Sequence, residues 1–206
     1  MYWGPAGSKT PLHSDVLHSF SWSYNVVGEK KWTFHVDKID SPLVVHQRAG
    51  EAMFVPATWK HEVENVVETL SINHNWVTTD NIDLTWACVE TEMVAVRFEM
   101  NQWGLVGHEA MEKMLQGCIG IDVTMFLLLC WTSLLEPWGQ KQKGWDDYFD
   151  IFRLGSMMEK LISMEELDLQ ARLATVFVSE TKADDAMRVA RHLLRQIKNL
   201  EESLFL

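Results

Sequence analysis

The sequence predicts a β domain of short antiparallel strands followed by an α-helical region. Up to about residue 80, short segments rich in β-branched and aromatic residues alternate with turn-forming segments, as in antiparallel barrels and sandwiches. Beyond this point, apolar residues recur at spacings of three and four, as on amphipathic helices. A chain of 206 residues is long enough to bury a core of this kind. We therefore assign residues 1–80 to a β domain and residues 81–206 to a helical region.

Turn-forming residues delimit the individual strands, and apolar spacing delimits the individual helices. Strands are expected between four turn-forming segments: Gly4-Pro5-Ala6-Gly7-Ser8, Gly28-Glu29, Asp40-Ser41-Pro42 and Ala49-Gly50-Glu51. Apolar spacing predicts helices over six ranges: 81–102, 108–116, 122–135, 145–153, 157–173 and 183–204. Gly117, Gly120 and Pro137 are expected to separate helices. The apolar stripe of the last helix predicts a face that packs on the rest of the protein, with a homodimer surface as the alternative.

Composition argues against several classes of protein. Acidic residues outnumber basic residues by 29 to 18, and the formal net charge of −11 is unfavourable for binding nucleic acid or an anionic membrane. The longest apolar run, from Met125 to Trp131, is shorter than the roughly 20 residues that cross a bilayer. The first residues lack the pattern of a secretory signal, and three widely spaced cysteines indicate a reducing compartment. We therefore expect a cytoplasmic protein, with the nucleus as an alternative, and neither direct nucleic-acid contacts nor membrane contacts.

Candidate metal ligands lie in one of two His-x-Asp triplets, His13-Ser14-Asp15 and His35-Val36-Asp37. In a strand, residues i and i+2 project from the same face, so the first triplet offers an imidazole and a carboxylate side by side. A later strand, which begins with His61, supplies a third ligand. Two histidines and one carboxylate leave one face of an Fe(II) octahedron open for a chelating cosubstrate and O₂. The sequence therefore predicts His13, Asp15 and His61 as the metal ligands and catalytic residues.

An Fe(II) centre of this kind needs a source of electrons, and 2-oxoglutarate supplies them by oxidative decarboxylation. Its distal carboxylate requires a cation, and Lys30, seventeen residues after His13, is suitable as a compact charge with three donors. The hydroxyls of Thr10 and Ser23 are placed to share the carboxylate or the keto-acid end. The polar face of residues 69–76, which includes Asn73 and Asn75, is expected to point toward the cosubstrate because an unpaired polar row inside a barrel is costly.

Five motifs carry a family resemblance across the first 80 residues. They are Gly4-Pro5-x-x-Ser8-x-Thr10-x-x-His13-x-Asp15; Trp22-Ser23; Gly28-Glu29-Lys30-Lys31-Trp32; Gly50-Glu51-x-x-Phe54-Val55-Pro56-x-x-Trp59-x-His61-x-Val63-x-Asn65; and Ser71-Ile72-Asn73-His74-Asn75-Trp76. In this order they resemble the JmjC family of 2-oxoglutarate- and Fe(II)-dependent oxygenases. The last motif and the segment Tyr2-Trp3-Gly4-Pro5-Ala6-Gly7-Ser8 are most similar to one branch. That branch consists of the lysyl hydroxylases that modify the eukaryotic translation termination factor.

The resemblance implies a double-stranded β-helix, or cupin-like jelly roll, followed by the α-helical C-terminal region. It implies Fe(II) on His13, Asp15 and His61, with O₂ as co-reactant and ascorbate in support. It also implies 2-oxoglutarate on the following set: Thr10, Ser23, Lys30, Asn73 and Asn75. The implied activity is hydroxylation of a lysine side chain in a protein with a basic, lysine-bearing segment, namely the termination factor. Family members usually carry a folded segment before the Gly4-Pro5 strand and a longer insertion between Trp32 and Gly50, so we expect the chain to depart from the family at these two places.

Three alternatives to lysyl hydroxylation stay open. Demethylation of histone lysine uses the same metal ligands. A shortened barrel is also compatible with a catalytically compromised scaffold whose C-terminal helices bind a partner, and a cupin-like domain can bind metal without O₂ chemistry. The second triplet, His35-Val36-Asp37, is expected to bind no metal, since no lysine follows it at a matching distance.

Overall fold

The computed structural model describes residues 1–37, 39–164, 173 and 180–205. Its chain divides into two compact units, Met1–Cys88 and Val89–Leu206, which are described separately. The first unit contains eight strands, and the second contains helices in its described residues.

The eight strands form two antiparallel sheets of four strands each. Their bounds are β1 Tyr2–Gly4, β2 Lys9–His13, β3 Phe20–Val27, β4 Glu29–His35, β5 Leu43–Arg48, β6 Ala52–Val55, β7 Lys60–Asn65 and β8 Thr69–Trp76. The strand orders are β1-β8-β3-β6 and β2-β7-β4-β5, so strands that are distant in sequence are neighbours. Two Greek keys wound together give this order in a jelly roll. The predicted double-stranded β-helix is therefore confirmed. Within the short segment 32–50, β5 pairs with β4, in a register that runs from Glu29 opposite Arg48 to Phe34 opposite Leu43.

The interior of the β unit has an apolar part and a polar part. The apolar part is a cluster of Trp32 and Phe34 on β4, Val55 on β6 and Val63 on β7. The polar part is a row of buried side chains on β3 and β8, namely Ser21, Ser23, Asn25, Thr69 and Ser71. Strand alternation points these residues inward, and their outward neighbours on the same strands are more exposed. A jelly roll in which the sheet that contains β3 and β8 has a polar inner face is suited to enclosing a polar ligand.

The turn between β3 and β4 requires a glycine. Gly28 has a φ of 89°, and a Cβ at this position would overlap the backbone carbonyl of Glu68. Because Gly28 has no side chain, the connection between β7 and β8 can pass close to this turn. The position of the turn also determines where β4 begins, and Lys30 is the second residue of that strand.

Helices begin directly after the last strand. A 3₁₀ turn, Thr79–Asn81, leads into α1, and the helices are α1 Ile82–Gln102, α2 His108–Ile119, α3 Val123–Gly139, α4 Trp145–Ser163 and α5 Glu180–Phe205. The predicted ranges 145–153 and 157–163 belong to one continuous helix, so the prediction of two helices there was wrong. Residues 165–172 lie outside the described residues. Gly120 ends α2 with a φ of 78°, whereas Gly117 and Pro137 lie inside helices and do not separate them.

The helical unit has its own core. The apolar stripe of α5 is buried at Ala183, Ala190, Leu193 and Ile197, and Ile197 packs against α4 at Gly155. Among the described helices, none has by itself the length and apolar composition of a membrane span. The bent pair of α2 and α3, at 73°, meets that criterion on length and composition alone, and α3 buries Phe126 and Leu134 within the unit.

Candidate metal centre and cosubstrate cavity

Three side chains from distant parts of the chain converge inside the β unit. One ligand atom from each of His13, Asp15 and His61 lies within 4.8 Å of the others. His13 is the last residue of β2, Asp15 follows that strand, and His61 is the second residue of β7. His61 is only 3% exposed, and the other two are half-buried. This separation is suited to a single ion bound by all three.

The pairing of β2 with β7 brings the two histidines together. His13 and His61 are direct partners across the strands, and their ring centroids are 4.4 Å apart. Thr10 pairs with Val63, so two residues of β2 stand opposite one residue of β7 between these pairs, which is a β-bulge. Thr10 and His13 are three residues apart, and the strict alternation of a regular strand would place them on opposite faces. The bulge therefore lets both side chains point inward.

The carboxylate ligand comes from a turn rather than from a strand. β2 ends at His13, and Asp15 has an extended backbone, with φ −62° and ψ 148°, just before a short 3₁₀ turn. The extended backbone preserves the i, i+2 relation that the sequence pattern predicts. Ser21, on β3 of the other sheet, donates a hydrogen bond of 2.6 Å from its hydroxyl to Oδ2 of Asp15. This bond fixes one carboxylate oxygen and leaves Oδ1 available to a metal.

Backbone carbonyls set the orientation of both imidazoles. Nδ1 of His13 lies 2.8 Å from the carbonyl oxygen of Pro11, and Nδ1 of His61 lies 3.1 Å from that of Trp59. A carbonyl accepts only, so Nδ1 carries the proton in each ring and Nε2 is free to bind a metal. Burial lowers the pKa of His61; the nearby His13 adds to this effect, while the bond to Trp59 opposes it. The neutral imidazole favoured in this way is the form that binds metals.

A cavity of about 370 Å³ extends from these ligands into the barrel. Lys30, on β4, lies in its wall and is 6% exposed. Its ammonium donates a 2.6 Å hydrogen bond to Ser71 of β8, and it lies 5.9 Å from the ring centroid of Trp32. Burial lowers the pKa of Lys30, and no acidic side chain of the described residues forms an ion pair with it. The lysine thus offers a buried charge to an anionic ligand.

The other predicted cosubstrate residues are placed as follows. Thr10 of β2 lines the cavity together with Lys30, and so do Asn73 and Asn75, as the alternation of β8 predicts. Ser23 is 1% exposed and does not line it; its hydroxyl donates to Oδ1 of Asn73, at 3.0 Å. Its position is therefore behind a lining residue. Their roles in binding 2-oxoglutarate remain predictions.

Two residues that line the cavity, Ser21 and Tyr2, were not among the predicted site residues. Ser71, which accepts the hydrogen bond from Lys30, lies on the predicted polar face of residues 69–76. The alternation of polar residues on β3, where Ser21 precedes Ser23 and Asn25, was a signal for an inward polar row. Nothing in the local sequence indicates that the hydroxyl of Ser21 reaches Asp15, because β2 and β3 belong to different sheets.

The second His-x-Asp triplet lies away from the centre, as expected. His35 is the last residue of β4, and its Nε2 lies 3.7 Å from a carboxylate oxygen of Glu62 on the neighbouring strand. Among the described residues, the one grouping with metal-ligand geometry is that of His13, Asp15 and His61.

The fold and the site together define a class of protein. A jelly-roll cavity with two histidines and one carboxylate on one side of an ion is the ligand arrangement of non-haem Fe(II) oxygenases. The free Nε2 atoms, the available Oδ1 and the buried ammonium beyond them fit Fe(II) with a chelating dicarboxylate. The cavity volume is within the range of roughly 300–1,000 Å³ for small-ligand sites.

Sequence relatives narrow this class. The chain is 32% identical to "2-oxoglutarate and iron-dependent oxygenase JMJD4" of Danio rerio over 161 aligned positions, which cover 61% of this chain and 38% of that protein. It is 36% identical to the JMJD4 homolog of Drosophila melanogaster over 155 positions, 63% of this chain and 36% of that one. The Caenorhabditis elegans protein "bifunctional arginine demethylase and lysyl-hydroxylase psr-1" is 27% identical over 121 positions, 40% and 30% of the two chains. The chain is thus a relative of the JmjC oxygenases, and the resemblance stated from its motifs is confirmed.

The chain spans less than two fifths of the length of these relatives. The aligned lengths also exceed the covered part of this chain, so the relatives have residues within the matched region that this chain lacks. No protein-family model matches the chain. Among solved structures, a cupin superfamily protein from Desulfitobacterium hafniense is 12% identical with a TM-score of 0.32, over 37% of this chain and 62% of that one.

We expect Ser21→Ala to weaken metal binding by about 10- to 100-fold, because partners that orient a ligand typically have effects of this size. Co(II) affinity of the full chain, measured by calorimetry, tests this expectation. Ser23→Ala is the matched control, since it removes a similar hydroxyl from the same strand without touching Asp15. An unchanged affinity in Ser21→Ala, or an equal loss in Ser23→Ala, would contradict the assignment.

Proposed function

We propose that this chain carries the catalytic domain of a 2-oxoglutarate- and Fe(II)-dependent oxygenase. The observation that carries the proposal is the convergence of His13, Asp15 and His61 at one side of a cavity that contains the buried ammonium of Lys30. The names of the JMJD4 relatives, which state dependence on 2-oxoglutarate and iron, support it. O₂ is the co-reactant, and ascorbate supports turnover by keeping iron reduced.

The three metal ligands leave the remaining coordination positions open. When bound, Fe(II) and 2-oxoglutarate supply O₂ activation coupled to decarboxylation of the cosubstrate to succinate. The protein contributes orientation: backbone carbonyls fix both imidazoles, and Ser21 fixes the carboxylate of Asp15. Because these side chains are already oriented before the reaction, no free energy is spent on rearranging them during it.

Lys30 is the proposed partner of the distal carboxylate. Its ammonium is buried without an acidic partner among the described residues, and Ser71 and Trp32 hold it in place from two sides. Burial of an uncompensated charge costs stability in the free protein. A bound carboxylate offsets this cost, so the same lysine contributes selectivity for an anionic cosubstrate. Thr10, Asn73 and Asn75 complete the proposed site from the cavity wall.

The substrate we propose is a lysine side chain of a protein, with the translation termination factor as the target. Three observations support this choice. The motifs of residues 1–80 are most similar to the hydroxylase branch that modifies this factor, and the name of psr-1 includes lysyl hydroxylation by that protein. The net charge of −11 also favours a basic, lysine-bearing segment.

We also propose that the protein is located in the cytoplasm or the nucleus. The C-terminal helices are the proposed surface of a homodimer.

Demethylation is the second candidate function. The name of psr-1 also includes arginine demethylation, and demethylation of lysine or arginine N-methyl groups would use the same metal ligands. Both reactions begin with hydroxylation of carbon, so they differ in the position of that carbon. A non-catalytic scaffold remains the contrasting hypothesis.

The metal ligands give the first test. With Fe(II), ascorbate and labelled 2-oxoglutarate, the full chain should release succinate, and His13→Ala or His61→Ala should abolish this release because each removes one of three ligands. His35→Ala is the matched control, since this histidine lies away from the cavity. If neither wild type nor the variants release succinate, and the wild-type chain does not bind iron, the scaffold hypothesis is favoured.

The buried lysine predicts a pH dependence. Binding of 2-oxoglutarate, measured with Mn(II) to prevent turnover, should weaken as pH rises through the lowered pKa of Lys30, because the ammonium form binds the carboxylate. Lys30→Met should lose about 10-fold or more in affinity and most of the pH dependence, since a charge-assisted hydrogen bond contributes about 1.5–3 kcal/mol.

The stability of the unliganded protein should change with pH in the opposite direction to the affinity for 2-oxoglutarate. The unfolded chain binds the Lys30 proton more tightly, so the free energy of unfolding rises with pH between the lowered pKa and 10.5. Lys30→Met should therefore be at least as stable as wild type near neutral pH. Lys31→Met, whose side chain lies on the outer face of the same strand, is the control and should keep affinity and pH dependence. Wild-type affinity in Lys30→Met would exclude this role.

Mass spectrometry identifies the substrate. Candidate proteins, with the translation termination factor first, should gain about 16 Da on one lysine when incubated with the wild-type chain but not with His13→Ala, because one oxygen atom is inserted. Loss of a methyl group from a methylated peptide would instead identify demethylation. Absence of any modified protein in the presence of active succinate release would contradict the proposed substrate.

A further inference from the structure

Unusual backbone conformations occur beside the metal ligands. In the described part of the chain, three residues other than glycine have positive φ: Leu17 at 56°, His18 at 49° and Thr58 at 68°. Leu17 and His18 are two and three residues after Asp15, and Thr58 is three residues before His61. Residues with a Cβ adopt this conformation only when their surroundings impose it. Such conformations are concentrated at functional sites.

The turn after Asp15, residues 15–19, is called the ligand turn below. Its internal hydrogen bonds are those of the His18 amide to the carbonyl of Asp15 and of the amide and hydroxyl of Ser19 to the carbonyl of Val16. Two consecutive residues with positive φ are not favoured by these bonds alone. Groups outside the turn must therefore hold it.

Asn81 supplies one of the outside contacts, alongside the hydrogen bonds that Ser21 donates to Asp15 and Asn75 donates to Ser19. Asn81 is fully buried at the end of the 3₁₀ turn that follows β8. Its Nδ2 donates a 3.0 Å hydrogen bond to the carbonyl oxygen of His18, and its Oδ1 accepts one of 2.8 Å from the amide of Thr78. Leu84, near the start of α1, adds a second contact through its carbonyl, 3.2 Å from Nδ1 of His18. The segment that begins the helices thus contacts the turn that carries a metal ligand.

The two hydrogen bonds of Asn81 have different purposes. The bond to Thr78 belongs to a capping box, for which an acceptor is sufficient, and aspartate provides one as well as asparagine does. The amide donor is used on His18. Among the hydrogen bonds of this buried side chain, the one to the ligand turn is therefore the one that needs an amide rather than a carboxylate.

We propose that Asn81 is a positioning residue of the metal centre, which holds the ligand turn in its positive-φ conformation and thereby places the carboxylate of Asp15. The inference rests on the proposed function in one respect, namely that Asp15 binds the metal. It goes beyond that function because it makes the start of the helical region a part of the metal site. A β domain cut at residue 80 would lack this contact.

Asn81→Asp in the full chain tests the proposal. The variant keeps the acceptor for Thr78 and replaces the donor to His18 by an oxygen that faces a carbonyl. Thr78→Ala is the matched control, because it removes the hydroxyl that accepts from Asp80 in the same capping box and leaves the bond to His18 intact. Co(II) affinity by calorimetry and the visible absorption of bound Co(II), which reports ligand geometry, are measured for each, with circular dichroism as the folding control.

We expect Asn81→Asp to bind Co(II) about 10-fold more weakly and with altered absorption, as for other partners that orient ligands. Thr78→Ala should stay within about twofold of wild type. Leu17→Gly in the Asn81→Asp background should recover part of the lost affinity, because glycine adopts positive φ without a steric penalty. If Asn81→Asp does not fold, Asn81→Ala, which removes donor and acceptor together, takes its place with the same expectations.

Three outcomes would overturn the proposal: unchanged Co(II) binding in the Asn81 variant, an equal loss in Thr78→Ala, or no recovery with Leu17→Gly. Each of these would leave the proposed function intact, provided that wild type binds Co(II). A wild-type chain that does not bind Co(II) would overturn both the metal site and the role of Asn81.

Discussion

The pairing of β2 with β7 is the constraint on which the site depends. It sets His13 opposite His61, although 47 residues separate them in the sequence, and a bulge in β2 turns His13 toward the interior. A shift of one residue in this register would move one histidine to the outer surface. The jelly-roll strand order makes these two strands neighbours at one end of a sheet, where β2 is the edge strand and β7 is paired on both sides, with β2 and with β4.

The polar interior has a cost that the rest of the barrel offsets. Buried serines and an ammonium replace apolar contacts on the inner face of β3, β4 and β8, whereas Trp32, Phe34, Val55 and Val63 supply a compact apolar cluster beside them. Trp32 belongs to both parts, because its ring lies near Lys30 while its indole N–H donates to the side chain of Gln47. This division explains how a small barrel keeps a polar cavity and a stable core together.

The relatives extend well beyond what this chain contains, yet the metal site is complete in its geometry. Eight strands, all within the first 76 residues, are enough to place the three ligands and Lys30. Residues that the relatives carry in the matched region are therefore additional to the jelly roll rather than necessary for its closure.

The amino-acid pattern alone predicted that strands precede helices, that His13, Asp15 and His61 form one group, that Lys30 belongs to the same site and that a polar row on β8 points inward. These follow from periodicity and residue chemistry, which are local properties. Only the tertiary structure decided that β2 contains a bulge, that Asp15 lies in a strained turn, that Ser21 holds its carboxylate while Ser23 lies behind Asn73, and that Asn81 reaches the ligand turn. The physical reason is that register and contacts between sheets depend on the packing of segments far apart in the chain, which no local pattern records.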